Sequence, residues 1–242
     1  MNDTQKAALV FGGSRGIGAA ISQRLAQDGY RIALTYVSRQ DKADEVVAAI
    51  TAQGGEAIAI RADSADAAAI KTAVDDALAR FGALDAVVVN AGVLRLATID
   101  ALTVEDLDQM LNVNVRGVVL AVQAAVAQMR DGGRVITIGS NTAIRTTTPI
   151  GTIYAMTKAA VASLVKGLAL DLAPRRITVN NVQPGPTETD MTSGMTDHLV
   201  NMIPLRRVGK PQEIAALVSY LASEESGYMT GASLTIDGGF VL

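Results

Sequence analysis

Two residues on one stretch of this chain could move a proton. Tyr154 and Lys158 stand four positions apart in Ile153–Leu172, where the apolar spacing predicts a helix, so their side chains share a face. A free tyrosine has a pKa near ~10, too high for a base at neutral pH. A neighbouring ammonium favours the phenolate and lowers that value, and general acid–base catalysis works best with a pKa near the operating pH. The pair is therefore a sensible proton donor and acceptor. The spacing alone is common, and a tyrosine and lysine on a solvated helix face would read the same.

A second chemical feature lies near the start. The apolar run Ala7–Phe11 ends in Phe11-Gly12-Gly13-Ser14-Arg15-Gly16-Ile17-Gly18, and helical spacing begins within it, over Ile17–Asp28. Glycines there allow a tight turn and close backbone approach to a pyrophosphate, while the first N–H groups of the helix and its dipole favour an anion. The spacing is Gly-x-x-x-Gly-x-Gly, not the commoner Gly-x-Gly-x-x-Gly, and an ordinary glycine turn carries the same residues. Its place after the first strand of an alternating chain is what points to a dinucleotide.

The next strand-like run, Arg31–Tyr36, leads into Val37-Ser38-Arg39. A carboxylate usually stands here to bind the ribose 2′-hydroxyl of NAD; this chain has Tyr36 instead. Arg15 and Arg39 would attract a 2′-phosphate and Ser38 could donate to it. The reading is NADP(H), with solvated surface arginines as the alternative.

The elements that must position these groups alternate from end to end. Strand-like runs at Ala7–Phe11, Arg31–Tyr36, Ala57–Ile60, Leu84–Val89, Arg134–Ile138, Ile177–Val182 and Leu234–Ile236 are separated by helix-like runs at Ile17–Asp28, Asp41–Gln53, Ser64–Arg80, Thr103–Met129 (one helix or two), Ile153–Leu172 and Pro211–Leu221. The pattern predicts one α/β domain over 1–242: a doubly wound, parallel, seven-stranded sheet of the Rossmann type with helices on both faces. Pro184–Gly209 is the least periodic stretch, and a loop that long in a compact domain is usually a functional lid or disordered; a substrate lid is expected at about 186–209.

Composition narrows the function classes. The 242 residues are 49% hydrophobic, enough for one large core, and the net charge of −3 creates no basic field for nucleic acid or an anionic membrane. Cysteine is absent, which removes disulfides, zinc thiolates and catalytic thiols. No charged-then-apolar leader is read at Met1–Lys6, and no unbroken apolar run approaches the ~20 residues of a membrane span. The expected location is cytoplasmic, with no membrane partner.

Taken in order, these motifs resemble those of the short-chain dehydrogenase/reductase family over essentially the whole chain. Gly12, Gly16 and Gly18 match its glycine loop, with Phe11 where threonine is usual; Asp63 matches its adenine-contacting position; Asn90-Ala91-Gly92 matches its Asn-Asn-Ala-Gly motif, with Val89 replacing the first asparagine. Asn114, Ser140, Tyr154 with Lys158, and Pro184-Gly185 with Thr189 match further positions.

The resemblance implies an oxidoreductase moving hydride between NADP(H) and a carbonyl or alcohol. Tyr154 would exchange the proton at the substrate oxygen. Lys158 would depress the Tyr154 pKa and bind the nicotinamide ribose. Ser140 would stabilise the substrate oxygen, and Asn114 would hold a water linking Lys158 to solvent. On the cofactor it places Gly12, Ser14, Arg15, Gly16, Ile17 and Gly18; Tyr36, Ser38 and Arg39; Asp63 and Ser64; Asn90, Ala91 and Gly92; Tyr154 and Lys158; and Pro184, Gly185, Thr187 and Thr189. No metal is implied.

The nearest familiar activity is 3-oxoacyl-[acyl-carrier-protein] reduction, for which Arg175 offers a docking cation but Asp131 stands where a base is usual. Gly12–Ile21, Asp63–Asp66 and Val182–Pro186 also look like a bacterial subgroup proposed to bind cyclic-di-GMP, which gives a regulator as the alternative function. The intact Asn114, Ser140, Tyr154 and Lys158 set favours an enzyme.

Other residues are weaker candidates. His198, the one histidine, falls in the expected lid, as do Met191, Met195 and Met202, which could wall a substrate site or simply pack a lid helix. Arg95, Arg145 and Gln183 flank motif positions and could touch substrate. Val118–Ala127 and the Tyr154 helix are apolar on most faces, so each needs a partner beyond the sheet. The expected partner is the same helix pair of another copy, in a homotetramer or dimer.

Overall fold

The computed structural model describes residues 5–146, 149–194 and 196–242; Met1–Thr4 and Met195 lie outside them. Seven strands run β1 (Ala7–Phe11), β2 (Arg31–Tyr36), β3 (Ala57–Arg61), β4 (Leu84–Val89), β5 (Met129–Ile138), β6 (Thr178–Pro184) and β7 (Ser233–Ile236). They form one sheet in the order β3-β2-β1-β4-β5-β6-β7, with every neighbouring pair parallel.

Alternation along the strands builds two cores. Leu9 and Phe11 of β1 turn to one face, where they pack with α3 (Ala67–Phe81), α5 (Gly117–Val126) and α6 (Thr152–Leu172). Ala8 and Val10 turn to the other, with α1 (Gly16–Gln27), α2 (Gln40–Ala52) and α8 (Pro211–Ala222). Both faces being covered explains why β1 and β4 read as continuous apolar runs. The expected doubly wound sheet with helices on both faces is the observed one.

The order reverses between β1 and β4. Crossovers from β1 run outward on one side and those from β4 on the other, which leaves a crevice at their carboxyl ends, the usual ligand position in open α/β sheets.

Most element boundaries fall within one or two residues of the sequence reading; the start of the third helix and the start of β5 move further. The third helix begins at Ala67, not Ser64, because the Asp66 carboxylate caps it by accepting from the N–H groups of Ala68 and Ala69. This frees Asp63 to Ala65 to line a cavity. The run 103–129 divides into α4 (Val104–Leu111), a π-helical turn at Asn112–Arg116 and α5. The last part of that run becomes the start of β5, which is longer than expected.

The aperiodic stretch after β6 holds a short helix, α7 (Thr196–Met202). Its two ends are tied together: Gly209 N–H donates to the Pro186 carbonyl, and Glu188 N–H to that of Gly209. Helix α6 with the turn after it, Thr152–Arg175, spans 24 residues and is long and apolar enough to cross a membrane by length and composition. Counting unbroken apolar runs in the sequence had missed that length. One of its faces packs into the sheet through Val161, Val165 and Ala169.

Ile136 sits mid-sheet on β5 and is fully buried. Ile136→Ala should cost about 2–5 kcal/mol by leaving a cavity, and the melting temperature should fall by at least several degrees in thermal denaturation.

Candidate active site

The glycine loop is held from two sides. Gly12 N–H donates to the Thr35 hydroxyl at 2.9 Å, and the Asn90 side-chain amide donates to the Gly12 carbonyl at 2.8 Å. Gly12 has φ +72°, which favours glycine. A Cβ at Gly18 would run into the Gly12 carbonyl oxygen and the Asn90 amide. No side chain caps α1, and its first turn holds no acidic residue, so its leading N–H groups and dipole remain available to an anion. A groove of about 480 Å³ opens there, lined by Arg15, Tyr36, Arg39, Asp63 and Gly92 among others. A bare helix start and a backbone cradle that a side chain would block fit the pyrophosphate of a dinucleotide.

An adjoining cavity of about 260 Å³ shares Ile17, Asn90, Gly92, Thr189 and Met191 with the groove. It contains Ser140, Tyr154 and Lys158. Ser140 follows β5 and caps a short turn at Asn141–Ala143; its hydroxyl accepts from the Thr142 N–H at 3.2 Å and the Thr142 hydroxyl at 3.0 Å. One turn apart on α6, Tyr154 and Lys158 face the same space. The Lys158 Nζ donates to the Ile138 carbonyl at 3.0 Å and lies 5.6 Å from the centre of the Tyr154 ring.

Burial governs both titrations. It pushes the Tyr154 phenol up to about 12, against a downward pull from its hydrogen bond with Ser140, and the Lys158 ammonium down to about 8. The expected depression of Tyr154 by Lys158 is therefore not what this geometry produces. Desolvation outweighs the Ser140 hydrogen bond, and the Lys158 ammonium is turned to a backbone carbonyl. A phenol shifted this way keeps its proton at neutral pH, the form from which a proton can be donated.

Every other expected site residue lines one of the two cavities except Gly18 and Asn114. Gly18 sits beneath the loop. Asn114, on the π-helical turn, is buried and clamps Val93: its amide donates to the Val93 carbonyl and its oxygen accepts from the Val93 N–H, both at 2.8 Å, with a further bond to the Thr157 hydroxyl. A π-turn inside a helix is a frequent mark of function, and here it swings Asn114 inward.

The groove's cations have protein partners. Arg15 pairs with Asp190 at 3.0 Å, and Arg39 forks onto Asp41 at 2.8 and 2.5 Å. Of the weaker candidates, Arg95 pairs with Asp106, Arg145 donates to the Leu242 carbonyl, Gln183 is buried against Thr235 and His198 is exposed; none lines the cavity that holds Tyr154, whereas Met191 does. Among the described residues no cluster of three His, Asp or Glu gathers that could hold a metal.

Sequence reasoning missed Thr35, Asn141, Thr142, Asp190 and Phe240. Thr142 carried a faint signal, since a hydroxyl two residues after a serine favours local hydrogen bonding. Thr35, Asn141 and Asp190 adjoin expected site residues in sequence, but their decisive contacts are long-range, as when the Asn141 amide donates to Asp237 at 3.2 Å.

Comparison with known proteins agrees with this geometry. A family model described as "Enoyl-(Acyl carrier protein) reductase" matches residues 12–241. A short-chain dehydrogenase/reductase from Serratia marcescens is 52% identical, superposes with a TM-score of 0.96 and is covered over 98% of each chain. The chain belongs to the short-chain dehydrogenase/reductase family. A short-chain dehydrogenase from Burkholderia cenocepacia, solved in complex with NADP, shares 47% identity and a TM-score of 0.96, with both chains fully covered. The "Cyclic-di-GMP-binding biofilm dispersal mediator protein" of Escherichia coli is 40% identical, with 98% of each chain covered.

The two shifted pKa values give stability a pH signature. Lys158 falls from its ordinary 10.5 to about 8 on folding, so between those values the unfolded chain binds the extra proton and stability rises with pH. Tyr154 rises from 10.0 to about 12, so above pH 10 its contribution reverses the slope. Lys158→Met should abolish the rise between pH 8 and 10 in urea denaturation series.

Proposed function

We propose that the chain is an NADP(H)-dependent reductase of uncharged, largely apolar ketones or aldehydes, with Tyr154 as the proton donor. The observation that carries this is the cavity beside the groove. Its lining includes Leu94, Leu96, Met191, Leu199 and Phe240, and among the described residues its only ionisable side chains are Tyr154 and Lys158. A charged substrate would lose its hydration there with no opposite charge other than Lys158 to offset the cost.

When bound, the dinucleotide supplies or accepts the hydride. The chain does the rest. The glycine loop and the start of α1 receive the pyrophosphate, and Arg15, Ser38 and Arg39 favour a 2′-phosphate where Tyr36 replaces the usual carboxylate. Pro184, Gly185, Thr187 and Thr189 form the far wall. Ser140 donates to the substrate oxygen as charge develops on it. Tyr154 delivers its proton to that oxygen. Lys158, whose hold on its proton is weakened by burial, can return a proton to the phenolate this leaves. Asn114 positions Val93 and the turn of α6 that carries Thr157. The NADP complex of the Burkholderia relative supports the cofactor assignment.

A carrier-protein substrate fits less well. Arg175 pairs with Asp131 and donates to the Val126 and Met129 carbonyls, so it is not free to dock an acidic partner. The exposed apolar Val119 on α5 and Met156 and Leu170 on α6 support assembly through these helices with further copies, as a dimer or tetramer. Cyclic-di-GMP binding, suggested by the name of the Escherichia coli relative, is the second reading.

Tyr154→Phe should cut turnover of a neutral ketone by about 10²–10⁴-fold, the usual worth of a general acid, while NADPH binding measured by fluorescence is unchanged. Near-wild-type turnover would remove the assigned mechanism, and tight cyclic-di-GMP binding without ketone reduction would favour the regulator. NADPH should be preferred over NADH by about tenfold or more, the worth of one good arginine–phosphate contact. Tyr36→Asp should reverse that order in kcat/KM.

A further inference from the structure

The Arg15–Asp190 pair joins the glycine loop to the segment after β6, across 175 positions of sequence. Asp190 lines the same groove as Arg15, Tyr36, Ser38 and Arg39. Its carboxylate is 82% exposed and Arg15 is its hydrogen-bond partner. Its field also reaches Arg39, whose guanidinium is held above the ordinary range first by hydrogen bonds with Asp41 and further by Glu45 and Asp190.

We propose that Asp190 is a specificity-determining residue, because its carboxylate draws on the same two guanidinium groups that a 2′-phosphate would use. The inference rests on reading the groove as an NADP(H) site. NADPH must take Arg15 from Asp190, or share it with a second anion held nearby. NADH carries no 2′-phosphate and leaves the pair intact. An exposed ion pair is weak and an arginine–phosphate pair is stronger and often bidentate, so the exchange favours NADPH, by less than it would without Asp190. The residue therefore tempers a preference that Arg15 and Arg39 create. Its neighbours Thr189 and Met191 line the cavity that holds Tyr154, so the same exchange alters the wall of the substrate space.

The test is dinucleotide binding rather than turnover: Kd for NADPH and for NADH, by fluorescence titration at low salt, for the wild type, Asp190→Asn and Asp190→Lys. Asp190→Asn should tighten NADPH by roughly 2- to 5-fold, the scale of one exposed charge pair, and change NADH by less than about 2-fold on the same scale. Asp190→Lys should tighten NADPH further, and both gains should shrink in molar salt. An unchanged NADPH Kd in both variants, or equal changes for the two dinucleotides, would overturn the role of Asp190 while leaving the cofactor reading intact. Failure of the wild type to bind either dinucleotide would overturn both.

Discussion

The side-chain amide of Asn90, at the end of β4, donates to the carbonyl of Gly12, at the end of β1. These two strands are where the sheet reverses its order, so one hydrogen bond closes the crevice that the topology opens. The Ala91 N–H reinforces it by donating to the Phe11 carbonyl. With the ends held together, Gly18 packs beneath the loop where no other residue fits, and α1 starts with its N–H groups aimed into the groove. On the other side Gly92 lies against Lys158 and Asn114. The dinucleotide groove and the cavity that holds Tyr154 thus share one wall.

The two departures from the family's polar positions are explained by the same region. Phe11 and Val89 are buried in the core, where they add apolar contact. The turn they flank is instead held by the Thr35 hydroxyl and the Asn90 amide.

Electrostatics divides the crevice. Its outer end carries arginines already paired with carboxylates, so an incoming phosphate competes there with protein anions. At the inner end the ionisable groups are Tyr154 and Lys158, and burial shifts both toward their neutral forms: the phenol rises to about 12, and the ammonium falls to about 8, where it still holds its proton at neutral pH. The proposed reduction of an uncharged ketone rests on that balance, since a protonated phenol is the form that can act as an acid.

Much of this was legible in the sequence. The bounds of β1, β2 and β4 followed from apolar runs, because strands buried on both faces carry no polar alternation to confuse. The seven-stranded parallel sheet followed from the order of elements. Tyr154, Lys158 and the glycines were readable because helical spacing and tight turns are local matters. The start of α3 was not, since one capping bond at Asp66 decides it. Nor was the inward swing of Asn114, which a π-helical turn produces within a run that reads as ordinary helix. The direction of the Tyr154 shift also needed the structure. Sequence shows which charges are neighbours, but burial is set by residues from β5, the short turn at Asn141–Ala143 and the loops after β4 and β6 closing over one another. The Arg15–Asp190 and Asn141–Asp237 contacts join residues far apart in the chain. No local pattern encodes them, and tertiary packing alone places those groups within reach.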